Sequence, residues 1–204
     1  MDDLIQDWTW DRKFDFVYLR HMLGSFDNQG WTKLYQRCYE SVLAPSTPVR
    51  VKLISFLHLG SNLEPGAWIE QMEFDVRVKS DDDSLPKDSV LANWGETFIG
   101  CSERAGRPLT IQETMRAGME KAGFVDLHEK VYKVPIGTWP RDRVLKEIGK
   151  LNYHHWVTGM EGYAMWLLTN FGDPAPWSVE EVQLYLAQVR MQLKDPSIHG
   201  YEYA

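Results

Sequence analysis

The chain reads as an α/β protein built on a parallel sheet, and three stretches carry that reading. Residues 13–19, "KFDFVYL", are a short apolar run with aromatic and β-branched members, a strand composition. From Trp31 the apolar residues fall at Trp31, Leu34, Tyr35, Cys38 and Val42, with Lys33, Arg37 and Glu40 outside that set. This spacing of three and four predicts an amphipathic helix. Pro65 and Gly66 then turn the chain into Ala67-Trp68-Ile69, so that 67–75 reads as the next strand. Strand, helix, strand in that order implies a right-handed crossover between neighbouring parallel strands.

The elements follow in order along the chain. Arg20 and His21 stand just past the first strand, at the edge where open α/β sheets hold ligands. Gly24-Ser25-Phe26-Asp27-Asn28 breaks the chain before the helix. Residues 42–62, "VLAPSTPVRVKLISFLHLGSN", form an atypical insertion in a kind of connection that is usually about 2–6 residues long. Two readings of it stand: a genuine loop with a short strand at Val49–Leu53, or an unspliced intron, since "CYES" runs on naturally into "LEPGAWIE" without it.

"KSDDDSLPKDS", 79–89, reads as a solvated loop without the spacing and glycine of an oxygen-ligand calcium loop. Val90, Leu91, Trp94 and Phe98 mark a helix. Thr110-x-x-Glu113 predicts a capping box that opens a helix with Ile111, Met115 and Met119 on one face, ended by Gly123.

"FVDLHEKVYKV", 124–134, predicts a third strand with Val125, Leu127 and Val131 on one side. After the loop Pro135–Pro140 comes a long helical region, interrupted near Asn152–Thr158. Ser178-x-x-Glu181 predicts a second capping box and a helix with Val182, Leu186, Val189 and Leu193 inward, stopped by Pro196. "IHGYEYA" begins a further strand.

Composition narrows the function classes. The 204 residues are enough for one domain with a real core, and 44% hydrophobic and 25% charged residues are ordinary globular values. A net charge of −7, with no basic stripe, argues against a nucleic-acid partner. Nine Trp, nine Tyr and eight Phe suit a thick core or an apolar pocket. Cys38 and Cys101 are too few for a disulfide framework and form no Cys-x-x-Cys pair. The acidic N-terminus lacks the layout of a signal peptide, and no apolar run approaches the ~20 residues that span a membrane. An intracellular location, cytoplasmic or nuclear, follows as the expectation.

In their order and spacing, "DDLIQDWTWDRKFDFVYLRHMLGSFDN", "LEPGAWIEQMEFD", "AGFVDLHEKVYKVPIGTWPRD" and "VRMQLKDPSIHGYEY" resemble the fungal methyltransferase-like proteins of secondary metabolism, whose best-known member is the velvet-complex regulator. The resemblance covers nearly the whole chain except 42–62 and matches the C-terminal part of that family. It implies an incomplete class I methyltransferase sheet, Rossmann-like, with 13–19, 67–75 and 124–134 as strands four to six and the tail from Ile198 as the start of the seventh. Residues 1–204 then form a single partial domain. Strands one to three, the glycine-rich turn that lets backbone amides approach the cofactor, and the acid that grips its ribose have no counterpart here. Gly24, Gly30 and Gly60 are isolated.

The resemblance implies S-adenosylmethionine as cofactor, with Asp2 and Asp3 matching the family's acidic pair; the plain reading of both is a frayed acidic terminus. Arg20 would lie near the cofactor and His21 is the candidate general base, against a histidine satisfied by a neighbouring carbonyl. Glu70 and Glu73 are candidate substrate anchors; three apart on a strand, they face opposite sides, so at most one points into a given crevice. Trp139 walls a substrate pocket or belongs to the core. His154-His155 has no partner at metal spacing, and no metal is expected.

Three functions remain: a methyltransferase impaired in cofactor binding, a non-catalytic interaction module or pseudoenzyme, and a cofactor-independent enzyme acting on a hydrophobic metabolite. The second takes a protein partner, or a second copy, through an exposed sheet edge. No membrane partner is expected. The substrate, whether a small molecule or a protein, has no signature in these residues.

Overall fold

The computed structural model describes Leu4, Gln6, Trp8 and residues 14–41, 50–52 and 67–204. In chain order its elements are β1 (Phe16–Arg20), α1 (Asn28–Ser41), β2 (Arg50–Lys52), β3 (Trp68–Met72), α2 (Trp94–Arg104), α3 (Ile111–Ala122), β4 (Val125–His128), β5 (Lys133–Pro135), α4 (Arg143–Phe171), α5 (Val179–Lys194) and β6 (Tyr201–Tyr203). The mixed α/β class is as predicted. These elements fall into two compact units, Met1–Glu73 with Thr110–Val131, and Phe74–Leu109 with Tyr132–Ala204.

The first unit holds a parallel sheet in the order β1-β3-β2-β4. β1 and β3 run in register from Phe16 opposite Trp68 to Arg20 opposite Met72. The first strand therefore starts three residues later than 13–19 and takes in Arg20. Residues 50–52 form a strand between β3 and β4, inside the segment Val49–Leu53; the rest of 42–62 lies outside the described residues. One face of the sheet meets α1 and α3. Trp31, Leu34, Tyr35 and Cys38 of α1 and Ile111, Met115 and Met119 of α3 pack with Leu19, Ile69 and Phe124. The two helices approach closely because Gly118 leaves room for the Tyr35 ring, which a Cβ there would meet at 2.7 Å.

The second unit holds β5 and β6, paired antiparallel, and helices α2, α4 and α5. On its other side β6 meets the chain that follows β3: Asp75 N donates to Tyr203 O at 2.8 Å, and Lys79 and Tyr201 exchange both backbone bonds. The core is aromatic. Trp94 lies 4.1 Å from Phe98 and 5.1 Å from Trp156 between ring centroids, and these three rings are buried, as are Leu168, Val182, Leu186 and Val189.

Three predicted features are corrected. The strand 124–134 is two strands: β4 joins the parallel sheet and β5 pairs with β6 in the other unit. Asp126 takes a left-handed φ of 54°, and Val125 and Val131 are exposed, so Val125, Leu127 and Val131 share no buried face. The alternation that predicted one strand is equally served by two short ones. The break near Asn152–Thr158 does not occur, and α4 is continuous. Asn152 and Trp156 are buried while His154 and His155 are exposed, a helical alternation that the polar composition hid. Thr110 precedes α3, but its side chain makes no capping bond.

The Ser178–Glu181 box forms in full: Glu181 N donates to Ser178 Oγ at 3.2 Å and Ser178 N to Glu181 Oε2 at 2.7 Å. Ser178→Ala is expected to lower the unfolding free energy by about 1 kcal/mol in urea titrations. An unchanged midpoint would show that α5 does not depend on this cap.

Candidate functional site

The chain leaving β1 builds the candidate site in the first unit. His21 continues the parallel ladder by one bond, its N donating to Met72 O at 3.1 Å, and then turns through a left-handed φ of 52°. That region is sparsely populated by residues with a side chain, and such strain gathers at functional sites. The turn closes through Ser25 N to Met22 O and through Gly24 at φ 70°. Asp27 Oδ1 then accepts from Gly30 N at 2.6 Å, capping α1.

A buried side chain holds this turn from beneath. Glu73, just past β3, accepts from Met22 N at 2.9 and 3.2 Å and also from the Leu23 amide. Gln71 Nε2 donates to Glu73 Oε1 at 3.1 Å, and Tyr35 OH of α1 donates to Gln71 Oε1 at 2.7 Å. The result is a continuous buried chain from α1 through β3 to the backbone after β1. Burial pushes the Glu73 carboxyl up to about 7, against the pull of Gln71 and the two amides. Burial likewise raises the Tyr35 hydroxyl, and it carries the Cys38 thiol up to about 12, so Cys38 is no nucleophile at neutral pH.

Of the residues singled out from sequence, Arg20, His21 and Glu73 meet here. Arg20 and His21 are exposed, with Arg20 Nε 3.5 Å from His21 Nε2. Glu70 and Glu73 separate: Glu73 is buried, and Glu70 is half-buried within β3. Trp139 belongs to the second unit. Its indole N–H donates to Gly200 O at 3.0 Å and its ring stacks on His199, tying the 136–140 loop to the entry of β6. Asp2 and Asp3 lie outside the described residues.

Sequence reasoning missed Tyr35 and Gln71 as polar partners. The visible signal was a glutamine between Glu70 and Met72 in a strand whose neighbour Ile69 is wholly buried. It also missed a second buried carboxylate, Glu202, in the second unit. Glu202 Oε1 accepts from Asn152 Nδ2 at 2.9 Å and Trp156 Nε1 at 3.3 Å, and burial pushes it up to about 7.

The 79–89 loop is tied down by its own carboxylates. Asp81 binds Lys133 and the Tyr201 hydroxyl, and Asp82 binds His199, Ser80 and the Ser84 amide. Among the described residues no group of three or more His, Cys, Asp or Glu is arranged to hold a metal ion, and no helix is long and apolar enough to cross a membrane.

Amides of the turn after β1 are already engaged. Met22 and Leu23, whose amides stand where a strand-to-helix turn offers donors, give them to Glu73.

Comparison with known proteins gives relatives over nearly the full chain. The methyltransferase pytC of Aspergillus terreus is 30% identical over 98% of this chain and 54% of its own length. The probable methyltransferase tdiE of Emericella nidulans is 27% identical, with the same coverage of each. The secondary metabolism regulator LAE1 of Cochliobolus heterostrophus is 30% identical over 98% of this chain and 57% of its own length. The chain thus spans about half the length of the curated relatives it matches. No protein-family profile and no solved structure matches it.

Proposed function

We propose, from the chain's membership in the family of fungal methyltransferases and secondary-metabolism regulators, that these residues form the substrate side of an S-adenosylmethionine-dependent methyltransferase-like protein and bind the cofactor only weakly by themselves. His21 is the residue for proton removal from the acceptor. It is exposed, it stands at the carboxyl end of a parallel strand, and a buried network holds its turn. Arg20 beside it meets an anionic part of cofactor or substrate; Glu70 is left as a substrate contact in this unit, and Trp139 as a separate one in the second unit. Glu73 acts through the turn rather than on substrate.

The observation that supports the cofactor reading is the engagement of the Met22 and Leu23 amides by Glu73, which takes up two of the donors of this turn. S-adenosylmethionine itself supplies the methyl group when bound; alignment of the acceptor and removal of its proton are what the chain's own residues contribute. Isothermal titration of the 204-residue chain with S-adenosylmethionine is expected to show no saturation below about 1 mM. One-to-one binding in the micromolar range would refute this reading.

A second reading, as an interaction module, is favoured by one feature. Among the described strands β1 ends the order of its sheet, and Phe16 and Tyr18 on it are 52% and 45% exposed.

A further inference from the structure

Helix α5 has two faces of different character. Val182, Leu186, Val189 and Leu193 are buried. On the opposite side Glu180, Leu184, Ala187, Met191 and Lys194 recur at alternating intervals of four and three, the spacing of a coiled-coil seam. All five are exposed, and the two large apolar members are 63% and 66% so. We propose that this seam is a self-complementary docking surface through which two copies of the chain pair by antiparallel contact of α5 with its symmetry mate, about a two-fold axis at Ala187.

Charge selects the occupant and its direction. In the antiparallel arrangement Glu180 of one copy meets Lys194 of the other, and Leu184 meets Met191. In a parallel arrangement Glu180 would face Glu180 and Lys194 would face Lys194, which like-charge repulsion disfavours. The small residue lies at the centre, where two helix axes must come nearest, within the ~8–10 Å range of close helix packing. An isologous two-fold contact needs a patch that complements itself, and this one does so in apolar pairing, charge and size. One flank of the seam is fixed, because Gln183 and Arg190 both hold Glu161 of α4. One helix face ~24 Å long is smaller than the ~800 Å² per partner of a standard interface, so the dimer is weak and concentration-dependent.

Sedimentation velocity of the full chain across a concentration series reads the association. A reversible monomer–dimer equilibrium is expected, weakened at least about tenfold by Leu184→Glu. Glu180→Lys and Lys194→Glu should each weaken it, and the double exchange should restore it, a rescue that a merely structural role would not give. Ala187→Cys tests the register independently. Cys38 and Cys101 are buried, so oxidation should yield one covalent dimer through position 187. Circular dichroism of each variant checks that the fold is kept. The proposal is overturned by a monomer throughout the series, by a dimer indifferent to Leu184→Glu, or by a dimer lost on Phe16→Glu instead, which would assign the contact to the edge of β1.

Discussion

Glu73→Ala is expected to lower the free energy of unfolding by about 3 kcal/mol or more at neutral pH, and Glu73→Gln by about 1 kcal/mol. The difference lies in what the carboxylate serves. Removing it leaves the Met22 and Leu23 amides and Gln71 Nε2 without their acceptor in a buried place, and each orphaned donor costs about 1–3 kcal/mol. The amide of glutamine keeps one accepting oxygen there. Hydrogen exchange adds a local readout: the Met22 and Leu23 amides should lose protection in the alanine variant before the rest of β1 does. Equal urea midpoints for wild type and Glu73→Ala would mean that the turn stands without this clamp, and the positioning role for Glu73 would fall with it.

Stability should decline as pH rises from about 5 to about 8, the reverse of what salt-bridged carboxylates produce. Glu73 and Glu202 are both raised by burial from 4.5 to about 7. A carboxyl raised in the folded state binds its proton more tightly there than in the unfolded chain. The stability this gives is fully present below about pH 4.5 and is lost as pH climbs through about 7. Each group accounts for on the order of 3 kcal/mol across that window. Asp81, Asp82, Glu161 and Asp195 act oppositely in acid. Lys133, Ser84, Gln183 and Ser197 respectively are the leading partners that hold them below the usual carboxylate range, so their contribution is lost only as pH falls through those lowered values. Maximum stability should therefore lie near pH ~5. In Glu202→Gln, where Asn152 and Trp156 keep their acceptor, the decline should shrink by about half, and in the double variant with Glu73→Gln it should nearly vanish. A urea midpoint that stays level or rises over this range in the wild type would contradict the burial of both groups.

The helices were the legible part of this chain. Trp31, Leu34, Tyr35 and Cys38, and equally Val182, Leu186, Val189 and Leu193, announce their buried faces through spacing alone, because a helix is a local structure whose period the sequence carries. The first two strands were legible to within a few residues for the same reason. The fate of 124–134 was not, since which sheet a strand joins depends on residues far away, and Tyr201–Tyr203 recruits only its second half. The site shows the same division. Arg20 and His21 could be placed at a strand end from order alone. The burial of Glu73 depends on Met22, 51 residues earlier in the chain, and that of Glu202 on Asn152, 50 residues earlier, distances over which no pattern in one sequence speaks.

The first unit is assembled from two separated stretches, and this bears on how the protein is made. A nascent chain that has emerged only as far as Glu73 has strands β1 and β3 and helix α1 but lacks α3, whose Ile111, Met115 and Met119 shelter the same apolar layer. At ~5–20 residues per second the ribosome needs on the order of 3–12 s to deliver the remainder up to Val131. Throughout that interval the apolar layer of Leu34 and Ile69 lacks its α3 members, so chaperone engagement during synthesis should concentrate on chains arrested between these two points.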